Sequence, residues 1–124
     1  MDPVNGATLI SPFVWLLLGH LAGDFLFQTR WMALQKVSNL KALLSHSLIY
    51  ILFIGLFSLF FGGLHYLSYI LIFVVHLVLD RKSPVRWWTE RITGSNEEWL
   101  LVIVDQVFHI FILVAALYLT AVLV

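Results

Sequence analysis

Apolar residues run almost unbroken through four stretches, at about 9–28, 42–61, 64–80 and 99–123, and the polar residues gather between them. A helix needs roughly 20 mostly apolar residues to cross a bilayer. The pattern therefore predicts an all-α integral membrane bundle of four transmembrane helices, one domain over residues 1–124. The third stretch is the shortest and follows "FGG" at Phe61 to Gly63, which reads as a tight turn between helices two and three. Pro12 falls in the first turn of helix one, where its missing N–H costs little. Between helices three and four the period changes in "SPVRWWTERITG". Ser83 as N-cap, Pro84 at N1, an apolar stripe of Val85, Trp88 and Ile92, and Gly94 as a stop predict a short interfacial helix over about 84–93. "SNEE" at Ser95 to Glu98 matches a capping box opening helix four.

Composition strengthens this picture. Of 124 residues, 61% are hydrophobic and 11% charged, more apolar surface than a soluble domain of this length can bury. The absence of cysteine excludes disulfides, zinc–thiolate sites and thiol nucleophiles. "MDPVNGAT" at the start carries an acid and no Lys or Arg, unlike the basic n-region of a cleaved signal, so the first span is expected to be retained.

The formal net charge of zero hides a segregation. Arg30, Lys36 and Lys41 follow helix one, and Arg81, Lys82, Arg86 and Arg91 follow helix three; these are all seven basic residues. The positive-inside rule then puts the loops at 29–41 and 81–98 in the cytoplasm and both termini outside, in a prokaryotic inner (plasma) membrane.

"HLAGDFLFQTRW" from His20 and "HLVLDRKSPVRW" from His76 share H-L-x-x-D-x5-R-W, as two hairpins in parallel repeat would. Both put His and Asp four residues apart, on one helical face, and so do Asp105 and His109. Asp24, His46, His76 and Asp105 fall at a common depth, roughly 6 to 10 Å from the cytoplasmic ends of the helices. His20 and His109 lie one turn deeper, and Asp80 is expected near the cytoplasmic edge. With Lys and Arg assigned to loops, three buried carboxylates would be neutralised by imidazolium, by protons or by a metal.

The seven candidate metal ligands are therefore His20, Asp24, His46, His76, Asp80, Asp105 and His109. A structural His–Asp network is the bland reading of any one pair, whereas groups converging from four helices are how bundles build metal sites. Imidazole with carboxylate suits a divalent transition metal, zinc first, with Mn, Fe, Co or Ni as alternatives, as one ion or two.

At "HLAGDFLFQTRWMALQK", "LLSHSLIY", "HLVLD" and "DQVFHI" the chain resembles a family of small prokaryotic integral membrane proteins catalogued as domain of unknown function 3307. The family pattern falls on His20, Asp24, Phe25, Gln28, His46, His76, Asp80, Asp105, Gln106 and His109. It implies no activity. A looser similarity of type links it to membrane-bound metal-dependent hydrolases.

The leading expectation is a metal-dependent hydrolase acting on a lipid or phospholipid-like substrate from the cytoplasmic leaflet. Asp24 or Asp105 would be its general base, and Arg30, Arg81 and Arg86 would hold an anionic headgroup. Gln28 and Gln106 would orient ligands or substrate. A metal-ion or proton carrier would need a polar route outward, for which Thr8, Ser11, Ser58 and Thr120 are the few candidates. A metal-stapled structural or regulatory protein would keep its ligands closed from water. Membrane lipid is the expected partner and nucleic acid is not. A homodimer suits so small a bundle, although no small-xxx-small face argues for one.

Overall fold

The computed structural model describes residues 9–124, and every regular element among them is helical. The opening "MDPVNGAT", with Thr8, lies outside the described residues. Helix α1 (Pro12–Leu26) starts with Ser11, whose Oγ accepts the Val14 N–H at 3.3 Å. It is α-helical to Leu21 and π-helical over Ala22–Leu26. A π turn adds one residue to the helical repeat and is frequent at functional sites. Here it buries Ala22, Gly23 and Asp24 in succession while Phe25, Leu26 and Phe27 face out.

The segment expected as a basic loop is partly helical. Thr29 caps α2 (Arg30–Gln35) by accepting the Met32 N–H, and buried Met32 pins this short helix to the bundle end. Helix α3 (Leu40–Phe61) is opened by Asn39, whose Oδ1 accepts the Lys41 and Ala42 N–H groups, and its last three residues tighten to 3-10. The turn after it needs left-handed backbone at Gly62 and Gly63, with φ of 99° and 85°. Helix α4 (Tyr66–Leu79) follows, with His65 Nδ1 accepting the Leu67 N–H at its start.

Two caps differ from the sequence reading. Ser83 is the first residue of α5 (Ser83–Ile92) rather than its cap; Lys82 holds that place at φ 68°, without a capping hydrogen bond. This left-handed turn aims the Lys82 ammonium at Asp105 and Asp80. Helix α6 (Glu98–Leu123) begins at Glu98, so Ser95 forms no capping box and instead accepts the Glu97 N–H within the loop. Gly94, at φ 70°, ends the stretch containing α5.

Helix α1 packs chiefly on α3, and α4 on α6; contacts of α3 with α4 and of α1 with α6 close the ring. Two glycines set the α1–α3 distance. A Cβ on Gly19 would meet the Phe53 carbonyl oxygen at 2.9 Å, and one on Gly23 would meet Tyr50 Cα at 2.9 Å. Gly19 and Gly23 are thus a small-xxx-small face spent inside the chain, which the sequence reading passed over.

Leu16, Tyr50, Ile54, Ile72, Leu113 and Ala116 form the mid-bundle core. Leu79, Val85 and Leu101 form a second cluster that seats α5. In α5 the buried positions are Val85 and Thr89; Ile92 is exposed. Helices α3 and α6 are each long and apolar enough to cross a membrane, while α1 and α4 are shorter apolar helices.

Candidate metal centre

The core layer ends abruptly in polar groups toward the end of the bundle that carries α2 and α5. His20, Asp24, His46, His76, Asp80, Asp105 and His109 are all buried there, each at most 4% exposed. Asp80 was expected near an edge, yet it is fully buried and central. It sits at the C-terminal end of α4, beneath Lys36 and Lys82, which cover it.

Five of the seven face one another. His76 Nε2 is 3.2 Å from Asp24 Oδ1 and 3.5 Å from Asp80 Oδ2. His109 Nε2 is 3.2 Å from Asp80 Oδ1 and 4.0 Å from Asp24 Oδ2. His46 Nε2 lies 3.0 Å from Asp24 and 2.9 Å from Asp80. For Asp24, His76, Asp80 and His109, one ligand atom from each fits within 4.8 Å of all the others. Four N/O ligands about 2.0–2.1 Å from a tetrahedral ion stand roughly 3.3 Å apart. The four His–Asp contacts, 3.2 to 4.0 Å, draw on both oxygens of each carboxylate, Asp24 Oδ1 and Asp80 Oδ2 toward His76 and the other two toward His109, so an ion on one atom from each residue would draw the side chains slightly together.

The tautomers sharpen this fit. His109 Nδ1 donates to the Asp105 backbone carbonyl at 2.7 Å, and a carbonyl can only accept. A neutral His109 therefore presents a bare Nε2. Neither that nitrogen nor Asp80 Oδ1 has a hydrogen-bond partner among the described residues. Two acceptors in contact repel unless a proton or a metal cation lies between them. Imidazole ligands usually donate their second nitrogen to a carbonyl or similar group, the arrangement His109 already has. His76 is held likewise, with Nδ1 3.2 Å from Ser47 Oγ and the ring stacked on Tyr50 at 3.9 Å. His46 Nδ1 has no hydrogen-bond partner among the described residues. As an Nε2–H donor His46 would bridge both carboxylates, and it stands outside the four residues whose ligand atoms fit together.

His20 and Asp105 stand one layer back. Gln106 Oε1 accepts from His20 Nε2 at 2.7 Å, which leaves His20 Nδ1 to accept from the Tyr50 hydroxyl at 2.8 Å. Both ring nitrogens are thereby engaged, with Asp24 Oδ2 3.7 Å from Nδ1. Asp105 Oδ2 pairs with Lys82 at 2.8 Å and accepts from Gln106 Nε2 at 3.3 Å, while Oδ1, 3.7 Å from His109 Nδ1, has no hydrogen-bond partner among the described residues.

The expectation that no Lys or Arg reaches this depth is overturned. Lys36 Nζ lies 3.0 Å from Asp80 Oδ2, and Lys82 Nζ 2.8 Å from Asp105 Oδ2 and 3.7 Å from Asp80 Oδ1. Helix α2 carries Lys36 back over the bundle end, and both long stems extend inward to place their ammonium groups. A local signal existed only for Lys82, two residues after Asp80. Tyr50 and Ser47, which position the histidines, were also missed; Tyr50 lies at i+4 from His46, on the same face.

Of the other residues assigned to substrate, Gln28 donates from Nε2 to the Asp24 carbonyl at 2.9 Å. Arg30 and Arg81 are exposed, and Arg86 pairs near the surface with Glu98 at 3.2 Å. A cavity of about 200 Å³ opens beside the cluster, with Asp24, Gln28, Lys36, Lys82, Asp105 and Gln106 on its wall.

Residues 13–124 match the family model described as "Protein of unknown function (DUF3307)". The chain belongs to that family. No curated protein and no solved structure matches it. The family brings no activity with it, so the chemistry must be argued from the side chains.

Proposed function

We propose that the protein is a four-span membrane protein holding one divalent transition metal, zinc first, on Asp24, Asp80, His76 and His109, and that it hydrolyses a lipid-like phosphoester. The observation that carries this reading is His109 Nε2 held 3.2 Å from Asp80 Oδ1, both buried and neither with a hydrogen-bond partner among the described residues. A proton on His109 would also relieve that contact. The metal reading is favoured by the spacing of the four ligand atoms and by the partners on the far nitrogens of His76 and His109.

Such an ion, bound, would supply Lewis-acid polarisation of a phosphoester and lower the pKa of water. Asp24 belongs with the ligands, which leaves Asp105 as the carboxylate best suited to take a proton. It lines the cavity, and its Oδ1 has no hydrogen-bond partner among the described residues.

Helix lengths bear on the four spans. Helix α1 has ten α-helical and five π-helical residues and α4 has 14, about 22 and 21 Å at ~1.5 Å per residue, against about 30 Å of hydrocarbon. Both end at the polar cluster, beneath α2, α5 and the lysines, so the remaining thickness on that side would be polar protein. The positive-inside rule makes that side cytoplasmic.

A carrier would need a route past Leu16, Ile54, Ile72 and Leu113, each at most 1% exposed, so the apolar layer argues against conduction. Beyond it Ser58, Ser68, Tyr69 and Thr120 bond to one another and to nearby backbone.

The test is turnover of short-chain phosphatidic and phosphodiester lipids by purified protein with added zinc or manganese. Metal-dependent release of phosphate or headgroup, lost in Asp105→Asn with the ion still bound, is expected. Metal-loaded protein inert toward the whole panel would overturn the hydrolase and leave a structural metal.

A further inference from the structure

The charges around the cavity do not balance once an ion is bound. Asp24, Asp80 and Asp105 bring three negative charges, and Lys36 and Lys82 return two. A divalent ion on Asp24 and Asp80 would turn this deficit of one positive charge into an excess of one. It would also compete with Lys36 for Asp80 Oδ2, now 3.0 Å from the ammonium. The Lys36 side chain is only 11% exposed and Lys82 21%. An ammonium displaced there must find another anion, because a buried unpaired charge is strongly destabilising.

The cavity is where both ammonium groups can turn, since both lysines form its wall. At about 200 Å³ it is smaller than the roughly 300 Å³ at which drug-sized sites begin, so it suits a small headgroup. Gln28 and Gln106 add amide groups, and Gln28 Oε1 has no hydrogen-bond partner among the described residues. Phe25 and Val102, 52% and 53% exposed, flank it with apolar surface that an acyl chain could follow.

We propose that this cavity is a phosphate-binding site assembled by the metal: Lys36 and Lys82 neutralise the buried carboxylates until a divalent ion binds, then hold a phosphate group beside it. This assignment rests on the metal reading above. It moves headgroup recognition from Arg30, Arg81 and Arg86 to two lysines at the cluster itself. Metal and phosphate then favour each other's binding, by the same factor in each direction.

The experiment measures zinc affinity of the full chain in a neutral detergent, with free zinc fixed by a metal buffer and ionic strength held constant. Three arms are compared: no phosphate, inorganic phosphate, and short-chain phosphatidic acid. Phosphate in at least one arm should tighten zinc binding about tenfold, within the usual range of coupling between sites. An effect of both forms shows that the phosphate group suffices, and an effect of the lipid alone assigns the site to headgroups. Lys82→Gln and Lys36→Gln should each bind zinc alone more tightly than wild type, having lost a competing cation, and should lose most of the phosphate effect. Lys82→Arg should keep it. Zinc binding indifferent to both phosphate forms overturns the phosphate site and leaves the metal centre standing. No zinc binding in any arm overturns the metal centre itself.

Discussion

Nε2 of His109 stands 3.2 Å from Oδ1 of Asp80, and with the ring neutral this is an acceptor facing an acceptor, because the other ring nitrogen gives its proton to the Asp105 carbonyl. Around this contact the chain arranges a second layer of Ser47, Tyr50, His20 and Gln106, and above it two lysines.

Ser47 touches no candidate ligand atom but holds His76 through Nδ1. Losing such a supporting partner usually costs about 10- to 100-fold in metal affinity. Ser47→Ala should therefore bind the ion about tenfold more weakly with unchanged stoichiometry, measured by competition with a chromogenic chelator. Unchanged affinity would remove Ser47 from the site.

Imidazole and carboxylate must be deprotonated to act as ligands. Protons compete with the ion, so affinity should fall as pH drops through the ordinary imidazole range near ~6.5 and rise again on return. Titration of bound zinc between about pH 8 and 5 checks this. A pH-independent affinity would point away from histidine ligands.

Gly23 lets α1 approach Tyr50 closely, since a Cβ there would lie 2.9 Å from Tyr50 Cα. Backbone cannot yield as a side-chain tip can, so α1 must shift and carry Asp24 with it. Gly23→Ala should cost about 1–3 kcal/mol, as overpacking typically does, and should weaken metal binding. Thermal unfolding in detergent reads the first effect and chelator competition the second. Gly55, whose added Cβ would meet nothing within 4 Å, is the control.

Much of this was legible in the sequence, for reasons particular residues make plain. Pro12 and the Gly62–Gly63 pair mark a helix start and a turn through backbone constraints that neighbours cannot override. The gathering of Asp24, His46, His76 and His109 follows from buried polar groups needing partners and from one-turn His/Asp spacing, whereas Asp80, expected at the rim, stands at the centre. The division between layers was not legible. His20 and His76 open the same twelve-residue pattern, yet His20 turns to Tyr50 and Gln106 while His76 faces both carboxylates. The π turn at Asp24, absent at Asp80, sets the two copies apart. The reach of Lys36 depends on α2 folding back, a tertiary effect that no local spacing encodes.

If the chain crosses four times, as proposed above, Arg30 and Arg86 are cytoplasmic, because all the basic residues fall in the two segments 30–41 and 81–91. Single cysteines at these positions should resist an impermeant maleimide in intact cells and react after lysis, while one at Val124 should react at once. The opposite pattern would invert the protein in the membrane.

The most direct test of the metal centre is elemental analysis of the full chain purified in mild detergent at neutral pH, wild type beside His76→Ala/His109→Ala. The expected result is about one divalent transition-metal ion per wild-type chain, as a four-ligand site holds, and almost none in the double variant while it remains helical by circular dichroism. Folded wild-type protein that takes up no Zn, Mn, Fe, Co or Ni would contradict the account and leave the cluster a protonated His–Asp network.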